Sequence, residues 1–371
     1  MDTTTDNRTV LTLDAGGTNF VFSAVRGNKQ IVEPVTLPSN GHDLDKCLKT
    51  IIEGFSKTKE LLDSDPVAIS FAFPGPTDYT NGIIGDLGNL PAFRGGIALG
   101  PMLEDHFRIP VFINNDGDLF VYGEAISGFL PWVNNMLSEA GSCKQYNNLM
   151  GVTLGTGFGG GLVRNGELVT GDNGAAGEVW LLRSRLHREC FAEESISIRA
   201  VVRVYKTSSN IPVHGKITPA DIYEIATGMR EGDQVAAIDA FKKFGDALGD
   251  ALANMITMFD GLVVVGGGLS KAWKLFAPEV TGHINGKIKT VGGEEFPRTE
   301  VTAFNLEDNE QLEEFIAGQQ KEIPVPFSDR KVIYDPLKRT GIGLSRLGTS
   351  EAVSMGAYAF ALNAIDREPA K

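Results

Sequence analysis

Twice in this chain a run of β-forming residues stops at a turn of glycine and threonine and resumes as a second β run. The first copy is Thr9-Val10-Leu11-Thr12-Leu13, then Asp14-Ala15-Gly16-Gly17-Thr18-Asn19, then 20–25. The second is 149–154, then Gly155 to Gly161, then Leu162-Val163-Arg164. Each is followed by another turn and a third β run: Arg26-Gly27-Asn28-Lys29 leads to 30–37, and Asn165-Gly166, a strong hairpin signal, leads to 167–169. The hairpin context decides what the glycines can do. Gly155, Gly157 and Gly160 have the spacing G-x-G-x-x-G, but a dinucleotide site needs a helix after the glycines, so that its N-terminus faces the pyrophosphate. A strand follows here, which excludes that reading. No G-x-x-x-x-G-K-[ST] loop occurs either. The repeated pattern predicts two related domains.

The remainder fits that plan. Leu44, Leu48, Ile51, Ile52 and Phe55 fall at helical spacing. A buried strand over 67–73 stops at Pro74-Gly75-Pro76, and the strand 111–113 runs into Asn114-Asn115-Asp116 before an apolar helix over 119–126. The order βββαβ…βα predicts an α/β domain with a mixed sheet. Residues 129–148 read as a connection or insertion, 233–260 as a long helix and 262–265 as a strand entering Gly266-Gly267-Gly268. The polar stretch 290–335 reads as an insertion at a domain edge, and about 350–365 as a closing helix. At 371 residues two domains are the default. Boundaries are expected at 1–128 and 129–349, with a C-terminal helix of about 350–371 packing back on the first.

Charge and cysteines narrow the function. The chain has 34 Lys+Arg against 47 Asp+Glu, net −13, which opposes loose binding to nucleic acid or an anionic membrane. There is no basic run of five, no apolar window of 18 and no hydrophobic core in MDTTTDNRT. A cytoplasmic protein without nucleic-acid or membrane partners is expected. Cys47, Cys143 and Cys190 are far apart and odd in number, so neither a disulfide framework nor a Cys-x-x-Cys metal pair is expected.

The motifs each admit two readings. The adjacent glycines of Asp14-Ala-Gly-Gly-Thr18 let backbone N–H groups approach an anion, with Asp14 able to hold a metal-bound water; a plain hairpin turn fits the same residues. Thr156 in Gly155-Thr156-Gly157 suits a second phosphate turn, or the glycines mark a tight crossing of strands. Gly266-Gly267-Gly268 offers a surface without side chains where a purine or ribose could lie. Asp116, at the end of a buried strand, can accept a proton from a hydroxyl, or Asn115 or Asp116 caps the next helix. Asp118 and Glu124 read as solvated or structural. Glu178, after Gly174-Ala-Ala-Gly177, can accept from sugar hydroxyls or be a surface carboxylate. His187 and Cys190 lack the further ligands a zinc site needs.

Taken in order, these motifs resemble the ROK family of sugar kinases and sugar-responsive repressors, within the actin-like (hexokinase-type, ribonuclease H-like) ATPase fold. Phe73-Pro74-Gly75-Pro76-Thr77-Asp78, Asn89-Leu90-Pro91 and the ending Leu347-Gly348 … Ala352-Val353-Ser354-Met355-Gly356-Ala357 carry the resemblance further. It implies two actin-like α/β domains with mixed sheets and an interdomain cleft, usually in a homodimer. It implies ATP and Mg²⁺, with Asp14, Gly16, Gly17, Thr18 and Asn19 facing phosphates and metal. Gly155, Thr156 and Gly157 would grip phosphates, and Gly266, Gly267 and Gly268 would flank adenosine. Gly75, Asn89, Asn115, Asp116 and Glu178 would bind sugar, with Asp116 as base. Two departures stand out. Where the family often has Gly-Glu-x-Gly-His, this chain has Gly177-Glu178-Val179-Trp180, without the histidine. The cysteine-rich zinc loop is replaced by His187 to Ser197, in which Glu193 and Ser197 match the family's Glu-x-Tyr-x-Ser and Glu193 becomes a further sugar candidate. No structural zinc is expected. The expected activity is a glucokinase-like, ATP-dependent sugar kinase. The alternatives are a sugar-sensing regulator, disfavoured by the acidic charge and by only 13 residues ahead of Asp14, and a non-catalytic sugar-binding protein.

Overall fold

The computed structural model describes residues 3–75, 77–87, 90–213 and 215–367. In chain order the first elements are β1 (Val10–Ala15), β2 (Asn19–Arg26), β3 (Lys29–Gln30), β4 (Val35–Pro38), α1 (Leu44–Glu60) and β5 (Ala68–Ala72). Then come the short strands β6 (Thr77–Asp78), β7 (Ile83–Ile84) and β8 (Ile97–Ala98), with α2 (Leu99–Phe107), β9 (Val111–Asn114) and α3 (Asp116–Ile126). Next are α4 (Phe129–Glu139), β10 (Asn148–Leu154), β11 (Phe158–Arg164), β12 (Glu167–Leu168), α5 (Ile198–Ser208), α6 (Pro219–Ala226) and α7 (Gln234–Phe259). The rest are β13 (Leu262–Gly266), α8 (Trp273–Ile284), β14 (Lys287–Lys289), β15 (Glu295–Pro297), β16 (Thr302–Asn305), α9 (Asn309–Ala317), β17 (Lys321–Pro324), β18 (Lys331–Tyr334), β19 (Arg339–Leu344) and α10 (Thr349–Arg367). No helix of the described residues is long and apolar enough to cross a membrane.

The chain divides into two compact units: 1–128 with 161–177 and 346–371, and 129–160 with 178–345. Residues 161–177 therefore belong with the first unit, where a single cut after 128 would have put them in the second.

The first unit is built on a sheet of order β3-β2-β1-β5-β9, with β4 also paired to β2. β1 and β2 are antiparallel, and β1, β5 and β9 run parallel. The third β run expected over 30–37 is two short strands, because Pro34 falls in its middle. β1 carries apolar residues on both faces, Val10 on one and Leu11 and Leu13 on the other, because both faces are covered. Leu11 and Leu13 enter a core with Phe20, Phe22, Ile51, Phe55 and Phe71. Val10, with Val25 and Ala68, packs on Met355, Tyr358, Ala361 and Leu362 of α10. Helix α10 also lies against α3 at a crossing that admits no side chain. A Cβ on Gly356 would sit 1.9 Å from Leu119 O, and one on Gly123 2.0 Å from Ala352 O. Beside this crossing Glu124 is wholly buried. Its carboxylate accepts the N–H groups of Leu347 (3.1 Å) and Arg346 (3.3 Å) and so anchors the entry to α10. It and the buried Asp118 are structural, not solvated.

The other large sheet has the order β12-β11-β10-β13-β19-β16, with β10, β13, β19 and β16 parallel and in the second unit; within β11 the chain passes from the second unit to the first, so β12 is counted with the first. The Asn165-Gly166 turn between β11 and β12 has both residues at positive φ, 52° and 77°, the backbone a two-residue hairpin demands. Five strands correspond between the two sheets, β3-β2-β1-β5-β9 with β12-β11-β10-β13-β19, while β4 in the one and β16 in the other have no counterpart. Each begins with a hairpin and continues in parallel strands, and in each the Gly/Thr turn closes the first hairpin.

Two expectations are corrected here. Residues 129–148 are not a connection: α4 occupies most of them and buries Phe129, Leu130, Val133 and Leu137. Pro131 sits in its first turn, where the missing N–H costs no helical bond. The stretch 290–335 is only partly an insertion. β16 forms the sheet edge beside β19, with α9 against it, while the β14–β15 and β17–β18 hairpins are the additions. β16 was hidden because only Ala303 and Phe304 of its four residues are buried.

Candidate functional site

In the first unit, β1 ends with Asp14 exposed, and Gly17, Thr18 and Asn19 follow exposed in the turn. A Cβ on Gly16 would lie 2.8 Å from Asn19 O, so this tight turn needs glycine, whereas one on Gly17 would meet open space. Ser39, buried just after β4, fixes the turn twice. Its hydroxyl donates to Gly17 O (2.7 Å) and its N–H to Thr18 O (2.9 Å). A peptide is planar and trans, so a carbonyl and the following N–H point in opposite directions. With the Gly17 carbonyl held by Ser39, the Thr18 N–H is turned away from Ser39, on the same turn as its exposed hydroxyl.

At the end of β9, Asn115 is the cap of α3: its Oδ1 accepts the Gly117 N–H at 2.7 Å. The cap is therefore Asn115, and Asp116 is the exposed first helical residue, its Oδ1 also 2.9 Å from the Gly117 N. The Asn115 amide reaches the Tyr79 hydroxyl at 3.5 Å, and that hydroxyl donates to Phe73 O at 3.2 Å. Burial pushes the Tyr79 phenol up to about 12, so it stays protonated and keeps donating. A Cβ on Gly75 would be 3.1 Å from the same hydroxyl. Gly75, Tyr79 and Asn115 thus form one cluster beside Asp116. Tyr79 was not singled out from sequence; only its place just after Pro74–Asp78 could have drawn attention to it. Asn89 lies outside the described residues.

In the second unit, the turn between β10 and β11 is fixed by the same device. The Gly155 N–H donates to Gly157 O (3.0 Å), and Gly155 O accepts the Ile198 N–H (2.9 Å) at the start of α5. The Thr156 N–H is therefore turned away from α5, and Thr156 is exposed. Glu193 holds the far side: Oε2 accepts the Phe158 N–H at 3.0 Å, and Oε1 pairs with Arg199 at 2.8 Å. A Cβ on Gly157 would come within 2.7 Å of Glu193 Oε2. Both oxygens of this sugar candidate already have protein partners.

β13 ends at Gly266. Gly267 has φ +86°, and a Cβ there would be 2.4 Å from Leu154 O; one on Gly268 would meet nothing. The chain then makes a 3-10 turn, Gly268–Ala272, before α8. Glu178 is half-buried, and the Trp180 indole N–H donates to its Oε2.

Among the described residues no group of three or more His, Cys, Asp or Glu could hold a metal ion. His187 and Cys190 are exposed in a tight turn, the Cys190 N–H donating to His187 O at 2.9 Å. Elemental analysis of the purified protein is expected to return well under one zinc per chain; stoichiometric zinc would overturn that. Magnesium is a different case. One exposed carboxylate, Asp14, on a turn whose Thr18 N–H faces away from Ser39 suits a hydrated Mg²⁺ carried on phosphates, which keeps most of its waters.

The sequence model of the ROK family matches residues 10–310. The chain belongs to the ROK family. This ROK protein is 53% identical to a solved glucokinase of Parabacteroides distasonis, with a TM-score of 0.90 over 98% of this chain and 99% of that one. A Thermotoga maritima glucokinase is 28% identical over 72% of this chain and 84% of its own length. The N-acetyl-D-glucosamine kinase of Vibrio cholerae is 28% identical over 69% and 83%. A ROK hexokinase of Thermus thermophilus, 19% identical with a TM-score of 0.66 over 96% and 99%, shares the fold. That fold is the actin-like ATPase fold.

Proposed function

We propose that this ROK protein transfers the γ-phosphoryl group of ATP to a hydroxyl of a hexose or amino sugar, with Asp116 as the base. The chain is a carbohydrate kinase; its similarity to glucokinases and to an N-acetylglucosamine kinase supports that class. The observation that carries the finer reading is the paired turns. In each unit the first hairpin closes in a Gly/Thr turn whose carbonyl is tied inward, at Ser39 or at Ile198, leaving a threonine exposed. Phosphoryl transfer asks a protein mainly for positioning and charge stabilisation. Thr18 and Thr156 donate to phosphate oxygens, and the glycines at 266–268 leave room for the nucleoside. Asp14 would hold a hydrated Mg²⁺, which would neutralise phosphate charge. Asn115, oriented by its cap and by Tyr79, and Glu178 fix the sugar. Asp116 takes the proton as the sugar oxygen forms its bond to phosphorus and ADP leaves. Glu193 holds the Gly155–Phe158 turn and pairs with Arg199, and its oxygens keep acceptor capacity for a sugar hydroxyl.

The test is ADP release with Mg²⁺ and ATP across glucose, N-acetylglucosamine, mannose and fructose. Turnover with at least one is expected; sugar binding without ADP from any would favour the non-catalytic reading. The turn geometry makes a second prediction. Ser39→Ala removes the hydroxyl on Gly17 O and is expected to raise the ATP KM by roughly 2–10-fold, the worth of one hydrogen bond, with the sugar KM unchanged. An unaltered ATP KM would show that the turn does not bind nucleotide through its Thr18 side.

A further inference from the structure

Glu178 and Trp180 flank the short 3-10 turn Val179–Leu181. The indole N–H donates to Glu178 Oε2, and no other described residue donates to that carboxylate. On its other side the Trp180 ring meets Phe191 edge-on, centroids 5.4 Å apart and planes at 84°. Phe191 is itself held in place. It forms a β-bridge with Arg183, the Ala192 N–H donates to Leu182 O (2.6 Å), and the Ser184 N–H donates to Cys190 O (2.9 Å). The Ser184 and Ser195 hydroxyls, both buried, bond across the base of the loop at 2.8 Å. The indole is thus clasped between a stitched loop and one carboxylate oxygen. The other tryptophans are engaged elsewhere: Trp273 donates to Asn305 at 2.9 Å, and Trp132 packs on Phe129.

We propose that Trp180 is a positioning residue for sugar recognition. It holds Glu178 by Oε2 so that Oε1 is presented to a hydroxyl of the sugar. The inference rests on the reading of Glu178 as a sugar acceptor. Its physical basis is preorganisation. A glutamate has several rotamers to lose when it binds a ligand, and a fixed donor on one oxygen removes that loss in advance. An indole N–H only donates, so it cannot draw the sugar hydroxyl's proton away from the Glu178 carboxylate. The bond is charge-assisted, hence strong enough to choose one rotamer. The ligand class follows: a polyol whose hydroxyl points at a carboxylate, beside an aromatic pair that offers apolar contact to the C–H face of a pyranose.

The test compares Trp180→Phe, which keeps an aromatic ring against Phe191 but has no N–H, with Glu178→Gln, using glucose and N-acetylglucosamine as probes. Trp180→Phe is expected to raise the sugar KM about tenfold, the worth of one charge-assisted bond, while the ATP KM and kcat stay within about twofold of the parent. A general packing defect would move all three. If Glu178→Gln loses sugar affinity and Trp180→Phe does not, this inference fails and the function stands. If Glu178→Gln binds sugar normally, the sugar role of Glu178 fails and this inference with it. The unmodified protein supplies a measurement that needs no variant to fold. Titration with glucose in the absence of ATP should change tryptophan emission, because the sugar docks on the carboxylate bonded to the indole. Flat emission at a glucose concentration shown by calorimetry to saturate would overturn the proposal.

Discussion

Asp116→Asn is expected to lower kcat by roughly 10²–10⁴-fold, the usual worth of a general base, with the sugar and ATP KM values changed far less. The local structure makes this a clean substitution. Asn115, not Asp116, is the cap of α3, so the helix start survives. Asp116 is exposed, and its one side-chain hydrogen bond among the described residues is from the Gly117 N–H to Oδ1, which the asparagine carbonyl can keep. What the amide cannot do is accept the proton that leaves the sugar hydroxyl. Steady-state kinetics with saturating sugar and ATP check this, and turnover near the parent value would remove Asp116 from the mechanism.

The second large effect concerns stability. Gly356→Ala is expected to cost about 3 kcal/mol or more, at the upper end for overpacking, and to lower Tm by roughly 6–12 °C. The new methyl would lie 1.9 Å from the Leu119 carbonyl oxygen. A flexible side chain could move aside, but this neighbour is the backbone of α3. The helices must separate, which also disturbs the N–H bonds that Glu124 makes at 346–347. Gly123→Ala meets the Ala352 carbonyl at 2.0 Å and should behave alike. The two act on one crossing, so the double variant should lose less than their sum. Thermal melting decides: a Gly356→Ala protein that melts within about 2 °C of the parent would mean that α3 and α10 do not approach so closely.

The parts legible in sequence were those with local signatures. The Asn165-Gly166 turn has a backbone requirement written in two residues. α1 and α7 have a period, and the Gly/Thr turns were identifiable as hairpins because strands flank them. The parts missed depend on partners far along the chain. β19 has no strand signature in sequence, since Arg339-Thr340-Gly341-Ile342-Gly343-Leu344 is broken by glycines and begins with an arginine. That arginine is buried only because Asp335 pairs with it at 2.6 Å and Phe315 O accepts from it at 2.7 Å. Ser39 looks like any turn serine; its role appears only once β4 lies beside β2. Glu193 matches a family motif for sugar binding, and its bonds to the Phe158 N–H and Arg199 appear only in the structure. The return of 161–177 to the first unit left no compositional trace, because it occurs inside a single strand.

The first unit takes in residues 346–371, far along the chain from its strands, and the face formed by Val10, Val25 and Ala68 is covered by α10. A ribosome delivers those strand residues long before their cover. During synthesis this unit must wait with an oily surface uncovered, while everything bounded by 129–345 can finish ahead of it. Nascent chains halted before residue 349 should therefore occupy chaperones and aggregate.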